Sequence, residues 1–151
     1  VCIGSDHGGY ELKENLKHYL LQSGYEVHDV GTDSVASVDY PDFAAAVARR
    51  VAENPEGNRG IVLCGSGVGM DVVANKFRGV RSALVWRDDK ALVKQSREHD
   101  DSNVLSLPSD YLTEEQAQNI IKLWLETPFS GEERHLRRIQ KIRDLESSQD
   151  G

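Results

Sequence analysis

Gly60-Ile61-Val62-Leu63-Cys64-Gly65-Ser66-Gly67-Val68-Gly69-Met70 is the stretch on which the architecture turns. Its first half is a short apolar run, the composition of a strand buried on both faces of a parallel sheet. Its second half sets glycine at alternate positions and leads into Asp71-Val72-Val73-Ala74-Asn75-Lys76, which has helical composition. A strand, a glycine turn and a helix start bring several backbone N–H groups to one point, and such a point binds anions. Cys64 stands at the mouth of the turn. A thiol beside an anion-stabilising nest suits acid/base or nucleophilic chemistry, and amide donors favour its thiolate form. A free cysteine is also often a small buried apolar residue, so both readings stand at this point.

Upstream, Val1 to Gly4 reads as strand one and Ser5-Asp6-His7-Gly8-Gly9 as a loop. Leu12, Leu16, Tyr19 and Leu20 give helical spacing to Tyr10–Ser23, which Gly24 ends. Strand two is expected over Tyr25–Val30, followed by a polar loop to Asp39. Pro41 suits the first turn of a helix carrying Phe43, Val47 and Val51. Downstream, strand four is expected over Val80–Trp86, and Asp88 or Asp89 caps a helix to Arg97. Val104 to Leu107 forms strand five, and Thr113-Glu114-Glu115-Gln116 is a capping box for a helix reaching Glu126. A last helix over Glu132–Glu146 is predicted to bury Leu136, Ile139, Ile142 and Leu145, leaving Ser147–Gly151 as a loose tail.

Strands alternating with helices predict a single α/β domain over 1–146. It is a three-layer, doubly wound, Rossmann-like sheet of about five parallel strands with helices on both faces. Ligands in such folds bind beyond the carboxyl ends of the strands. That gathers Asp6-His7, the Thr32–Tyr40 loop, Cys64–Gly69, Trp86–Asp89 and Ser109-Asp110 at one end of the sheet. His99 precedes strand five and is therefore expected at the other end. A symmetric dimer that brings His99 of one chain to Cys64 of its partner reconciles the two.

A length of 151 residues fits one domain, and a net charge of -7 argues against broad nucleic-acid or membrane-surface binding. No apolar run approaches the roughly 18 residues of a membrane span. No signal peptide is visible, and Val1 reads as mid-strand, so residues are expected to precede it. Cys2 and Cys64 are expected farther apart than the ~7 Å a disulfide bridges, and a reducing cytoplasm is the expected compartment. No His, Cys or carboxylate spacing reads as a metal site, and no Ser, His and Asp fall into a hydrolase elbow. Gly65-x-Gly67-x-Gly69 departs from the dinucleotide fingerprint, whose third glycine comes one residue later and on the first strand. Asp6-His7 admits a plain loop-capping role, and His99 that of a solvated surface residue. Arg134 and Arg138, four apart, share a helical face and either clamp a phosphate or are simply solvated.

Six pieces taken in order carry a resemblance: Ser5-Asp6-His7-Gly8-Gly9, Val38-Asp39-Tyr40-Pro41-Asp42, Leu63 to Met70, Ala74-Asn75-Lys76, Ser96-Arg97-Glu98-His99, and Glu133-Arg134-His135 with Arg138. Together they resemble the type B ribose-5-phosphate isomerase family, which is related to the galactose-6-phosphate isomerase subunits. The resemblance implies a cytoplasmic homodimer, sometimes paired into a tetramer, with active sites shared between subunits and a sugar phosphate as substrate. It implies interconversion of ribose 5-phosphate and ribulose 5-phosphate without metal or cofactor. On it, Cys64 moves a proton between C1 and C2 through a cis-enediolate, and amides of Gly65, Gly67, Val68 and Gly69 hold the oxyanion. Ser66 contacts the substrate oxygens, Asp6 and His99 assist opening of the furanose ring, and Tyr40 lines the pocket. His7, Arg134 and Arg138 fall on phosphate-binding positions. Asp100 takes a substrate-contacting position where relatives commonly have Asn, and Asp110 stands where an ungapped count from His99 expects a phosphate-binding Arg. These two acids keep open the same chemistry on a tetrose, a hexose 6-phosphate or an unphosphorylated pentose. A non-catalytic sugar-phosphate-binding subunit is the alternative from another class.

Overall fold

The structure, a computed structural model, describes residues 1–149. Strands β1 (Cys2–Ser5), β2 (His28–Asp29), β3 (Gly60–Cys64), β4 (Ser82–Leu84) and β5 (Val104–Pro108) form one sheet in the order β2-β1-β3-β5-β4. Every neighbouring pair is parallel. The helices are α1 (Tyr10–Gln22), α2 (Tyr40–Ala52), α3 (Val68–Ala74), α4 (Lys90–Glu98), α5 (Glu114–Glu126) and α6 (Glu133–Ser148).

The central strands β1, β3 and β5 are buried along their whole length because both faces are covered, and alternation decides which residue meets which layer. Ile61 and Leu63, with Ile3, Leu105 and Leu107, pack in one core with Leu12, Leu16 and Leu20 of α1 and with Ile120, Ile121 and Trp124 of α5. Val62 and Cys64, with Cys2 and Val104, pack in the other with Val47 and Val51 of α2 and Met70 of α3. Cys64 thus hangs from the face that α2 and α3 cover, at the strand's last position.

Local chemistry sets the helix ends. Thr113 Oγ1 accepts from the Gln116 amide at 3.1 Å while Gln116 Oε1 accepts from the Thr113 amide at 3.0 Å, completing the expected capping box. Asp89 rather than Asp88 caps α4, its Oδ1 accepting from the Leu92 amide at 3.2 Å. The predicted strands two and four shrink to two and three residues, β2 and β4. Both are sheet edges with a ladder on one side only, so pairing ends where the neighbour's register ends.

The last helix departs from expectation in its packing. Ile139 is buried, but Leu136, Ile142 and Leu145 are 49%, 40% and 64% exposed. Polar contacts hold α6 against the body: Glu146 Oε2 accepts from the Gly79 amide at 2.6 Å, and Arg143 pairs with Glu56 at 2.9 Å. With His135 and Ile139 as its buried residues, most of its apolar stripe faces outward. The helix runs to Ser148, past the expected end at Glu146. Residues 150 and 151 of the expected tail lie outside the described residues.

Chain direction across the sheet reverses between β1 and β3: β2 lies on one side of β1, and β3, β5 and β4 on the other. The carboxyl ends of β1 and β3 therefore flank the topological switch point, where open α/β sheets bind ligands.

Candidate active site

The chain leaves β1 through a 3-10 turn, His7–Gly9, capped by Asp6. Asp6 Oδ1 accepts from the amides of Gly8 and Gly9 at 2.9 and 3.2 Å. His7 Nδ1 accepts from the Val38 amide at 3.1 Å. A ring nitrogen that accepts carries no proton, so Nε2 is the donor His7 offers. This turn lies against the β3 loop: a Cβ on Gly8 would stand 3.5 Å from the Gly65 amide nitrogen. Ser109, after β5, ties the two together, its Oγ lying 2.9 Å from the Gly8 carbonyl and 3.1 Å from that of Cys64.

Cys64 is 6% exposed, and its Sγ accepts from the Gly67 amide at 3.1 Å. That contact needs the tight reversal that Gly67 makes at φ 73°, a left-handed conformation that favours glycine. The buried Ser106 hydroxyl donates to the Gly67 carbonyl at 2.6 Å and holds the reversal from below. Ser66 is exposed at the tip, its Oγ accepting from the Val68 amide at 3.2 Å. Gly67 has no side chain to cap α3, so the first-turn amides of Gly69 and Met70 have no intrahelical partner. Tyr40 closes one side: a Cβ on Gly69 would come within 2.7 Å of its ring. Asp110 closes another, with Oδ2 standing 2.6 Å from where a Gly65 Cβ would be. Burial pushes the Asp71 carboxyl of α3 up, a shift the Ser82 hydroxyl tempers by donating at 2.6 Å, and this bond ties α3 to β4.

The carboxyl ends of β1 and β3 thus bring together Asp6, His7, Tyr40, Cys64, Gly65, Ser66, Gly67, Val68 and Gly69. They do not bring in His99, Asp100, Arg134 or Arg138. Val104 pairs with Gly60 at one end of the sheet while Pro108 pairs with Cys64 at the other. His99 precedes Val104, a full strand away, roughly 13 Å at 3.3 Å per residue.

His99 caps the C-terminus of α4 and sits on a loop that buried arginines lock. Asp101, at φ 47°, receives Arg97 Nη1 on Oδ1 at 2.8 Å and Arg81 Nη2 on Oδ2 at 3.2 Å. Arg81 Nε also donates to the carbonyls of Asp100 and Asp101, and Arg97 Nη1 to that of Ser102. The His99 ring stacks on His135 of α6 with centroids 4.2 Å apart. Arg134 pairs with Glu132 at 3.1 Å, and Arg138 is exposed.

The sequence places Ser109 at this end of the sheet but gives it no role, and it leaves Ser106 and the Arg81–Asp101–Arg97 cluster unnoticed as supports. The i,i+4 spacing of Arg97 and Asp101 is the cluster's one legible signal. Both cysteines are free, and burial pushes the Cys2 thiol up to about 11. Among the described residues, no group of three or more His, Cys, Asp or Glu side chains is arranged to hold a metal ion, and no helix is long and apolar enough to cross a membrane.

Comparison with known proteins agrees with this geometry. The Ribose/Galactose Isomerase family model matches residues 1–142. A putative sugar phosphate isomerase of Bacillus subtilis is 42% identical over 147 residues, covering 97% of this chain and 96% of that protein. The solved ribose-5-phosphate isomerase B of Clostridium thermocellum is 43% identical with a TM-score of 0.91, each chain covered to 97%. That of Mycoplasma genitalium, solved with bound ribulose 5-phosphate, is 39% identical with a TM-score of 0.91, covering 97% of this chain and 95% of that one. With nearly its whole length matched in sequence and in fold, this chain belongs to the ribose/galactose isomerase family.

Proposed function

We propose that this enzyme interconverts ribose 5-phosphate and ribulose 5-phosphate by moving one proton between C2 and C1 of the open-chain sugar. The observation that carries the reading is Cys64 Sγ, held by the Gly67 amide inside a turn of further backbone donors. The furanose opens when the C1–O4 bond breaks, O4 gains a proton and the C1 hydroxyl loses one; Asp6 and His99 assist these transfers. The Cys64 thiolate then takes the C2 hydrogen, and electrons flow onto the C1 oxygen to give a cis-enediolate. Amides of the Gly65–Gly69 loop stabilise that oxygen, those of Gly67 and Val68 being shared with Cys64 Sγ and Ser66 Oγ; a donor that meets the oxygen is worth about 2.7–4 kcal/mol. The thiol returns its proton to C1 while the O2 proton passes to O1, with Ser66 contacting these oxygens, and ribulose 5-phosphate results. General base catalysis of this kind contributes ~10²–10⁴-fold. Tyr40 lines the pocket, and His7 meets the phosphate through Nε2.

The site takes His99, Asp100, Arg134 and Arg138 from a second copy of the chain. Their position a strand's length from Cys64 supports this reading, as does the outward apolar stripe of α6, and pairing of dimers into tetramers extends it. Two free thiols suit a reducing compartment, the cytoplasm.

Asp110 favours a second reading, the same chemistry on another sugar. A carboxylate beside Gly65 repels a phosphate oxygen by up to ~4 kcal/mol at 4 Å and an effective dielectric of 20, less where solvent screens it. A tetrose, a hexose 6-phosphate or a free pentose that places a hydroxyl there avoids that repulsion. Assay of ketose formation from a panel of free and phosphorylated aldoses, by wild type and Asp110→Arg, tests both readings. Wild-type preference for ribose 5-phosphate, unimproved by Asp110→Arg, supports the first. Preference for another aldose, with ribose 5-phosphate activity gained on substitution, supports the second.

A further inference from the structure

His135 has no part in the chemistry above, yet its side chain is placed as if it had one. It lies in the first turn of α6, is 3% exposed, and stacks on His99 with ring centroids 4.2 Å apart and planes 17° from parallel. Its Nε2 is buried without a hydrogen-bond partner. Glu132 Oε2 lies 3.1 Å away, outside hydrogen-bond geometry. A buried nitrogen left unpaired is destabilising, so stability alone does not explain a histidine here. The flat face it turns to His99 does.

His99 needs such a support. It ends a helix, is half-buried, and its backbone amide donates to the Gln95 carbonyl at 2.9 Å. That bond and the Arg81–Asp101–Arg97 cluster hold the backbone, but neither restrains rotation of the imidazole about its own side-chain torsions. A parallel aromatic face does restrain it, through the preference of stacked rings for a fixed offset. The same region is tied a second time where the Ser130 amide donates to the Glu98 carbonyl at 3.2 Å. The start of α6 and the end of α4 therefore travel as one piece, carrying Arg134 and Arg138 in step with His99.

We propose that His135 is a positioning residue for His99: its buried ring is the platform that sets the plane of the imidazole for furanose opening. The proposal rests on the assignment of His99 to ring opening. It predicts that the flat face matters and the ring nitrogens do not, and that damage falls on the ring-opening step alone.

Two readouts separate that step from the rest. Net turnover of ribose 5-phosphate needs the ring opened. Exchange of the C1 hydrogen of ribulose 5-phosphate with solvent deuterium does not, because that ketose is acyclic, and it reports on Cys64 and the glycine nest. Both are measured on the full chain as wild type, His99→Ala, His135→Phe and His135→Ala, with folding checked by thermal unfolding. His135→Ala is expected to lose aldose turnover by up to about 100-fold, the scale of a misplaced reacting group, while keeping deuterium exchange. His135→Phe is expected to keep both. If the alanine variant does not fold, His135→Leu, which fills the space without a flat face, takes its place.

The platform is overturned if His135→Ala loses turnover and exchange in equal proportion, if it loses neither, or if His135→Phe falls as far as alanine. His99→Ala is the reference. Equal loss of both readouts there overturns the ring-opening assignment and the platform with it. A split at His99 without a split at His135 overturns the platform alone.

Discussion

The Gly67 amide points at the Cys64 sulfur from 3.1 Å, three residues along the same turn. The turn that supplies this bond also supplies the donors an enediolate needs. Cys64→Ala is therefore expected to abolish both aldose–ketose turnover and C1 deuterium exchange while leaving sugar-phosphate binding largely intact in titration calorimetry. Cys2→Ala is the contrast: that thiol is pushed up to about 11 by burial and stays protonated at neutral pH, so turnover should be unchanged. Full activity in Cys64→Ala sinks the assignment.

Gly67→Ala tests the turn itself. At φ 73° a Cβ is strained, and here it would also lie 2.7 Å from Leu84 Cδ1 and 3.1 Å from the Leu107 carbonyl carbon. Gly24→Ala is the control, with φ 89° and nothing within 4 Å of the added carbon. The control should lose about 1–2 kcal/mol, the ordinary left-handed penalty, and keep its activity. Gly67→Ala should lose more in urea unfolding and lose turnover as well, because the Cys64 contact moves.

The proposed two-chain site predicts complementation. Cys64→Ala and His99→Ala chains, each inactive alone, should recover activity when mixed and allowed to exchange subunits. In the mixed dimer one of the two sites receives the intact Cys64 of one chain and the intact His99 of the other. Activity that stays at the unmixed level, with exchange verified by native mass spectrometry, contradicts a site built from two chains.

Removing the Asp101 carboxylate leaves the guanidiniums of Arg81 and Arg97, side chains 7% and 5% exposed, without their shared counter-charge. Asp101→Ala should cost about 3–5 kcal/mol in urea unfolding, the usual penalty for breaking a buried pair. Glu133→Gln removes an ion pair whose partners are 51% and 78% exposed and should cost less than ~1 kcal/mol. Equal losses would show the Asp101 cluster to be no more than surface charge.

Lys13 and Lys17 reach Asp29 Oδ2 at 2.6 and 3.0 Å and tie α1 to the edge strand β2. Burial alone pushes the Asp29 carboxyl up, but the bonds from both lysines outweigh it and hold it below its ordinary value of 3.8. The unfolded chain thus takes up the proton first. The stabilisation is fully present above about pH 4 and fades as pH falls through the lower folded value. Urea unfolding of wild type and Asp29→Asn should show a stability gap at pH 6 that narrows by pH 3; a gap independent of pH refutes the pairing.

Order along the chain was enough for the layers, the capping box and the glycine nest, because each depends on residues within a few positions of one another. Apolar runs of strand length, a Thr three residues before a Gln, and glycines at alternate positions act locally, and periodicity reports them. It was enough, too, to send His99 to the far end of the sheet from Cys64, since a parallel strand has a direction. What folding decided lies in contacts between distant segments: Ser109 across Gly8 and Cys64, Asp110 against Gly65, Arg81 and Arg97 around Asp101, His135 under His99. Apart from the four-residue step from Arg97 to Asp101, none leaves a local pattern, because each joins segments that only the crossover connections bring together. The outward face of α6 belongs to the same class. Its spacing announced an apolar stripe, but whether a stripe is covered by its own chain or by another is settled by where the helix docks.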